Sequence, residues 1–141
     1  MSSGVGVKAE CVEKYQELKL KHNMKYIVFG FKENNFSEVD IVKTGDDADY
    51  EAFISEFPEN ECRWAVYDFE YELDGGAGKR NKLVFFSWTP DDAKIKQKML
   101  FASSKDALRR SLVGIATEVQ GTEFSEIAHE VVLEKVKRGA H

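Results

Sequence analysis

Cys62-Arg-Trp-Ala-Val-Tyr-Asp-Phe-Glu-Tyr-Glu-Leu73 leads into Asp74-Gly-Gly-Ala-Gly78, and Leu83-Val-Phe-Phe-Ser-Trp88 follows. The first stretch is rich in aromatic and β-branched residues and reads as a long strand. The glycines supply the positive φ of a tight turn, so the third stretch is the returning strand of a hairpin. Lys79, Arg80 and Lys82 then lie at or near its tip. Upstream, Tyr26-Ile-Val-Phe-Gly-Phe31 is a buried strand. Glu33-Asn34-Asn35 is a turn, and Phe36 to Lys43 alternates, with Val39 and Ile41 on one face and Asp40 on the other. These form a first hairpin.

Helical spacing fills the gaps. Val7, Cys11, Tyr15 and Leu18 form a stripe over residues 7–21, with Glu10–Lys14 and Glu17–Lys21 as i,i+4 pairs on its wet side. Asp46, Asp47 or Asp49 caps a helix presenting Tyr50, Phe53, Ile54 and Phe57, and Pro58 stops it. Thr89-Pro90-Asp91-Asp92 reads as the start of a short helix carrying Ile95 and Met99. Ser103-Ser104-Lys105-Asp106 opens another, with Leu108, Leu112 and Ile115 inward. Val119 and Gln120 suggest a short strand. Thr122 caps a last short helix with Phe124 and Ile127 inward, and 131–138 is helix or strand. Helix, hairpin, helix, hairpin, then helices make an α/β (α+β) fold, one mixed sheet with helices packed on its faces.

The chain has 141 residues and is 43% hydrophobic and 32% charged, the composition of one globular domain. No stretch is apolar enough for a membrane span, and residues 1–7 lack a secretory pattern. Cys11 and Cys62 are too few for a disulfide framework, so a reducing, cytoplasmic setting is expected. The net charge of −5 argues against nucleic acid as a partner. It hides a split: residues 79–110 carry nine basic and three acidic side chains, a local +6 that leaves −11 elsewhere. That imbalance favours a local surface for an acidic partner.

No catalytic or metal constellation is present in the pattern. His22, His129 and His141 read as surface or cap residues, and no CxxC or G-x-S-x-G exists. Asp91-Asp92 and Asp46-Asp47 are explained by capping. The glycine loop lacks the phosphate-loop pattern, with Leu73 where glycine is needed and Arg80 where Ser or Thr is needed. An enzyme, a cofactor and a metal are therefore not expected.

Met99-Leu-Phe-Ala-Ser-Ser-Lys-Asp-Ala-Leu-Arg-Arg110 resembles the long-helix motif of the actin-depolymerising factor/cofilin family. Ser3-Gly4-Val5-Gly6-Val7 is similar to its N-terminal peptide. Pro58-Glu-Asn-Glu-Cys-Arg-Trp-Ala-Val-Tyr-Asp-Phe69 resembles its central strand, and Phe85-Phe-Ser-Trp-Thr-Pro-Asp91 the approach to its short helix. Val119-Gln-Gly-Thr-Glu-Phe-Ser-Glu126 and Val132-Leu-Glu-Lys-Val136 resemble its C-terminal part. The likeness runs from about Ser3 to Gly139, with wording nearest fungal members. It implies a single homology domain over 1–141, with a flexible peptide at 1–6, a loose tail at 139–141 and a sheet of five or six strands.

The resemblance also implies binding of actin monomers and filaments, preference for ADP-actin, severing and faster subunit loss, with no cofactor of its own. A monomer sequesterer that barely severs is the alternative. By position, the surface for monomers and filaments would be Ser3, Gly4, Val5, Lys94, Lys96, Lys98, Met99, Lys105, Asp106, Arg109 and Arg110. A filament-only surface would be Arg80, Lys82, Glu134, Lys135 and Arg138, with Lys135 standing where arginine is expected. Met99 either shares a core face with Ile95 or meets the partner; the solvent-bound Lys96 and Lys98 favour contact. Ser3 looks like the family's inhibitory phosphorylation site. Lys96, Lys98, Lys105, Arg109 and Arg110 would attract phosphatidylinositol bisphosphate at a membrane surface. A monomer in the cytoplasm and actin cytoskeleton is expected; Gly78-Lys-Arg-Asn-Lys82 is too short and broken to serve as a nuclear-import run. A hydrolase with a nonstandard site would need a deep pocket holding perturbed acids or histidine. A lipid-surface binder with a secondary actin contact is a further alternative, which loss of liposome binding at moderate salt with actin binding kept would reject.

Overall fold

The computed structural model describes residues 5–32, 35–46 and 49–138. Its elements, in order, are β1 (Gly6–Val7), α1 (Ala9–Lys21), β2 (Tyr26–Lys32), β3 (Asn35–Gly45), α2 (Tyr50–Ile54), β4 (Arg63–Glu72), β5 (Lys79–Trp88), α3 (Ile95–Ser111), β6 (Thr117–Gly121) and α4 (His129–Arg138). They build one six-stranded sheet in the order β1-β3-β2-β4-β5-β6. The two hairpins are antiparallel, and the outermost pairs, β1 with β3 and β5 with β6, are parallel. A parallel neighbour needs a crossover, and α3 supplies the one from β5 to β6.

The sheet has a core on each face. On one, α1 and α3 cover Ile27, Phe29, Trp64, Val66 and Phe85 with Cys11, Tyr15, Leu18, Phe101 and Leu108. On the other, α2 and α4 cover Val28, Tyr67, Phe69, Phe86 and Trp88 with Tyr50, Phe53, Val132 and Val136. The alternation of β4 divides its side chains between the two cores, because successive side chains point to opposite faces. Both thiols lie inside: burial pushes Cys11 up to about 12 and Cys62 to about 11, which keeps them protonated and unreactive.

Several expectations need correction. Val7 does not begin the first helix; it pairs with Val39, and the helix starts at Ala9. Residues 1–4 and 139–141 lie outside the described residues, as do Glu33, Asn34 and Asp47. Of the expected loose peptide, Gly6 is therefore seen paired. The wet side of α1 carries a Lys14–Glu17 pair at 3.3 Å, not the two i,i+4 pairs. Asp49 is the cap of α2, accepting the Glu51 N–H at 3.1 Å. Asp40, expected on the face opposite Val39 and Ile41, is not left in solvent. It is buried, with Lys8 Nζ at 2.9 Å and the Ile41 N–H at 2.8 Å, and the Lys8 hydrogen bond holds its carboxyl below the ordinary range.

The largest difference is in the third helical region. Thr89 to Lys94 is not helical. The Thr89 N–H is tied to the Gly121 carbonyl (2.9 Å), and Ala93 closes a turn on Pro90 (3.0 Å). A single helix then runs from Ile95 to Ser111, so two expected helices are one. Ser103 and Ser104 do not cap it. Ser103 Oγ donates back to the Leu100 carbonyl (3.1 Å), and Ser104 is buried mid-helix. Near the C-terminus the cap is Glu123, not Thr122: Glu123 and Glu126 form a capping box, and the Thr122 hydroxyl donates to Glu126 Oε1 (2.7 Å). Ile127 is buried, whereas Phe124 is partly exposed, resting on Trp88.

Candidate binding surfaces

Helix α3 has one buried and one bare face. Phe101, Ser104 and Leu108 turn inward, and Gln97 Oε1 accepts the Cys62 N–H at 2.6 Å. At 100° per residue, Ile95, Met99, Ala102 and Asp106 share the opposite stripe. Ile95 is 74% and Met99 65% exposed. The core pairing of these two is thereby excluded: they are an apolar stripe in solvent. Lys98, Lys105 and Arg109 run along one flank of that stripe, Lys96 and Arg110 along the other. Among the described residues, Lys94, Lys96, Lys105 and Arg110 meet no carboxylate in an ion pair. Lys98 donates to the Asp91 carbonyl (2.9 Å). An apolar stripe between cationic flanks is chemistry suited to an acidic partner with an apolar cleft.

Strand β1 lies beside this helix. Val5 and Val7 pack on the core that holds Phe101 and Leu108. Lys8 anchors the segment twice, by its N–H to the Val39 carbonyl (3.1 Å) and by its ammonium to Asp40. The fold thus brings Val5 to the α3 surface; Ser3 and Gly4 lie outside the described residues.

Three contacts with no signal in the sequence set the far end of α3. Tyr15 Oη and Lys19 Nζ both donate to the Val113 carbonyl, at 2.7 and 2.9 Å, across 98 and 94 residues of chain. Gly114 follows with φ +104°, and a Cβ there would sit 2.8 Å from Lys19 Nζ. Arg109 is braced by Glu118 (Nε to Oε1, 2.9 Å). Its guanidinium is therefore aimed before any partner arrives, which lowers the entropy cost of using it. Such distant pairs have no local pattern to find.

The second group gathers at the other end of the molecule. Arg80 and Lys82 stand opposite Tyr71 and Phe69 in the β4–β5 ladder, so they share the face that α4 covers. Lys137 Nζ reaches Asp74 of the hairpin turn (3.3 Å), joining the end of α4 to the hairpin. Glu134, Lys135 and Arg138 lie on that last stretch of α4, with Arg138 3.3 Å from Glu134. All five are brought to one end, distinct from the α3 stripe.

Among the described residues, no three His, Cys, Asp or Glu side chains come together where they could hold a metal ion. No helix of the described residues is long and apolar enough to cross a membrane. His22 closes α1 in the left-handed conformation, 3.3 Å from Asp68, and His129 stacks on Phe69.

Comparison with known proteins gives one consistent answer. The profile of the family described as cofilin/tropomyosin-type actin-binding protein matches residues 4–137. A cofilin of Mycosarcoma maydis is 58% identical over 138 residues, 98% of each chain. The cofilin of Saccharomyces cerevisiae is 50% identical over 98% of this chain and 96% of its own. A crystal structure of a Streptomyces griseoflavus cofilin superimposes with a TM-score of 0.90 at 58% identity, covering 96% of this chain and 99% of that one.

Proposed function

This chain belongs to the cofilin/tropomyosin-type actin-binding family, and from that membership we propose that it binds actin monomers and filaments and disassembles the filaments. The observation that carries the reading is the exposed Ile95–Met99 stripe of α3, bordered by β1 and flanked by cations of which Lys96, Lys105 and Arg110 meet no carboxylate among the described residues. In this reading the surface comprises Ser3, Gly4, Val5, Lys94, Lys96, Lys98, Met99, Lys105, Asp106, Arg109 and Arg110. Met99 enters an apolar cleft, where an unbranched thioether adapts readily. Arg109 and Arg110 pair with carboxylates, for which a planar fork is suited.

Arg80, Lys82, Glu134, Lys135 and Arg138 form a second surface, used on filaments only. Binding two neighbouring subunits in one geometry favours that geometry. A ligand shifts a filament only by its differential affinity for the two twists. Preference for ADP-actin follows if the ADP-loaded filament adopts the favoured twist at lower cost. Boundaries between decorated and bare segments are then the mechanically weak points where severing occurs. Replacing Arg80 and Lys82 together by alanine separates the two surfaces. Filament binding and severing fall while monomer affinity stays, measured by pelleting and by fluorescence of labelled monomer. Equal loss of both would reject the two-surface reading; wild-type filament binding without severing would favour a monomer sequesterer.

Met99→Ala isolates the apolar contact. Because the side chain is largely in solvent, its loss leaves the melting temperature within a degree or so. It weakens monomer binding roughly tenfold, the effect of truncating a contact residue at the centre of an interface. A large drop in melting temperature would return Met99 to a structural role.

Regulation follows from charge. A phosphate on Ser3 adds about −1.5 to −2 beside Val5, where the peptide must lie against acidic actin. Ser3→Glu is expected to weaken monomer binding severalfold; unchanged affinity would remove Ser3 from the surface. Phosphatidylinositol bisphosphate competes for Lys96, Lys98, Lys105, Arg109 and Arg110, so liposome binding and actin binding exclude one another and weaken with salt. The protein acts as a monomer in the cytoplasmic actin cytoskeleton.

A further inference from the structure

Among the described residues, strand β4 beyond Asp68 has a neighbouring strand on one side only. Its pairing with β2 ends at Tyr67, opposite Tyr26, and the last bond on that side runs from the Asp68 N–H to the Lys25 carbonyl (2.9 Å). The ladder with β5 continues to Glu72. Backbone direction alternates along a strand, so the amide groups of Glu70 and Glu72 point the same way as that of Asp68. They face an edge that no strand covers among the described residues. Open edges are templates for another chain and are usually blunted.

Two cavities lie along this edge, on the side toward α4. One, about 210 Å³, is walled by Lys25, Tyr50, Phe69 and His129. The other, about 310 Å³, is walled by Tyr71, His129, Leu133 and Lys137. Both also border on Glu70 and His129, so they are successive compartments of one groove. Phe69 and Tyr71 are two residues apart on one face of β4, roughly 6.7 Å. Side chains i and i+2 of an added strand repeat at the same interval.

Tyr71 is 5% exposed, and its hydroxyl finds no hydrogen-bond partner among the described residues. A buried orphan polar group is rare in folded proteins and calls for an explanation. The groove is lined by the acids Glu70 and Glu72 on the strand and by the cations Lys25 and Lys137 on the side toward α4. Strand alternation turns the Glu70 and Glu72 side chains away from α4, and Glu70 is met there by Lys79 (3.4 Å). Lys25 lies over the Tyr67 ring (5.6 Å) and pairs with no carboxylate among the described residues. Among the described residues Lys137 pairs with Asp74 alone, whose side chain is 94% exposed, a pair of little strength.

We propose that this edge receives an extended acidic peptide of a partner protein, added as a strand beside Glu70–Glu72. One side chain covers Phe69 and His129. The next on that face is acidic and reaches the Tyr71 hydroxyl and Lys137. Main-chain bonds supply affinity and the two compartments supply selection, as in other strand-addition sites. The inference does not depend on the reading of α3 as an actin-binding surface.

The test uses the full chain and short fluorescein-labelled peptides that alternate Glu or Asp with Val or Phe. Fluorescence anisotropy at low salt is expected to show saturable binding. The same peptide N-methylated at alternate residues binds about tenfold more weakly, having lost its edge hydrogen bonds. A peptide with Lys in place of the acids does not bind. Tyr71→Phe keeps the ring packing and weakens binding severalfold with an unchanged melting temperature. Glu70→Pro removes the edge N–H without touching the β5 ladder and acts likewise. Absence of saturable binding, or equal affinity for the N-methylated peptide, overturns the proposal. So does a dimer in sedimentation that Glu70→Pro dissolves, which would assign the edge to a second copy of the chain.

Discussion

Replacing Arg109 and Arg110 together by alanine is expected to weaken actin-monomer binding about a hundredfold while leaving the fold intact. Truncating a charged group that pairs within a desolvated interface costs roughly 2–5 kcal/mol, and about 2.7 kcal/mol corresponds to a hundredfold. The structural loss is small by comparison. Arg110 is exposed without an ion pair among the described residues, and the Arg109–Glu118 bridge is at the surface, where such pairs contribute about 0–1 kcal/mol. Glu118→Gln is the control. It frees Arg109 without removing it, so it should change affinity far less than loss of the arginine. Titration of fluorescent monomer, beside a thermal melt of each variant, makes the distinction. A double variant that binds at wild-type strength would remove α3 from the interface.

Phe53→Ala is expected to have the largest effect on stability, about 4 kcal/mol. Phe53 is fully buried on the α2 side of the sheet. Its ring meets Tyr26, Tyr50, Phe57, Tyr67 and Phe86 at 4.6–5.7 Å between centroids. Helix α2 has only five residues, so it cannot close around the gap as a longer element would. Urea unfolding should show the midpoint displaced strongly with the slope unchanged. A loss below about 1 kcal/mol would mean that α2 is not part of the cooperative core. Because Phe53 lies on the face opposite α1 and α3, the variant that remains folded should still bind actin monomers.

What the sequence made legible follows a physical divide. Strands announced themselves through runs such as Tyr26–Phe31 and Cys62–Leu73, because burial on both faces demands continuous apolar and aromatic residues. The glycine turn at 74–78 was equally clear, with positive φ at Gly75, Gly76 and Gly78. Helix limits were less so. Thr89-Pro90-Asp91-Asp92 has every local feature of a helix start, yet backbone bonds to Gly121 and the burial of Pro90 and Ala93 hold it as a turn. Local preference is a few tenths of a kcal/mol per residue, and tertiary contacts exceed it. Ser103 and Ser104 misled for the same reason.

The surface residues were legible mainly through resemblance. Composition showed only that residues 79–110 are basic. It did not show that Lys96 and Arg110 flank one apolar stripe while Arg80 and Lys82 belong to another end. That separation depends on the crossover from β5 through α3 to β6. The exposure of Met99 could not be decided from its i,i+4 spacing with Ile95, because a partner-facing stripe and a core stripe have the same period. Nor could Tyr15 and Lys19 be linked to Val113 from any window of sequence.

Co-sedimentation with actin filaments tests the reading most directly, with the protein in the pellet and the unpolymerised actin in the supernatant measured together. Binding in the pellet with a rise in supernatant actin is the expected result. Absence from the pellet with supernatant actin still rising would retain the α3 surface and remove Arg80, Lys82 and Arg138 from function. No change in either fraction would contradict the proposed activity and leave the stripe of α3 to another acidic partner.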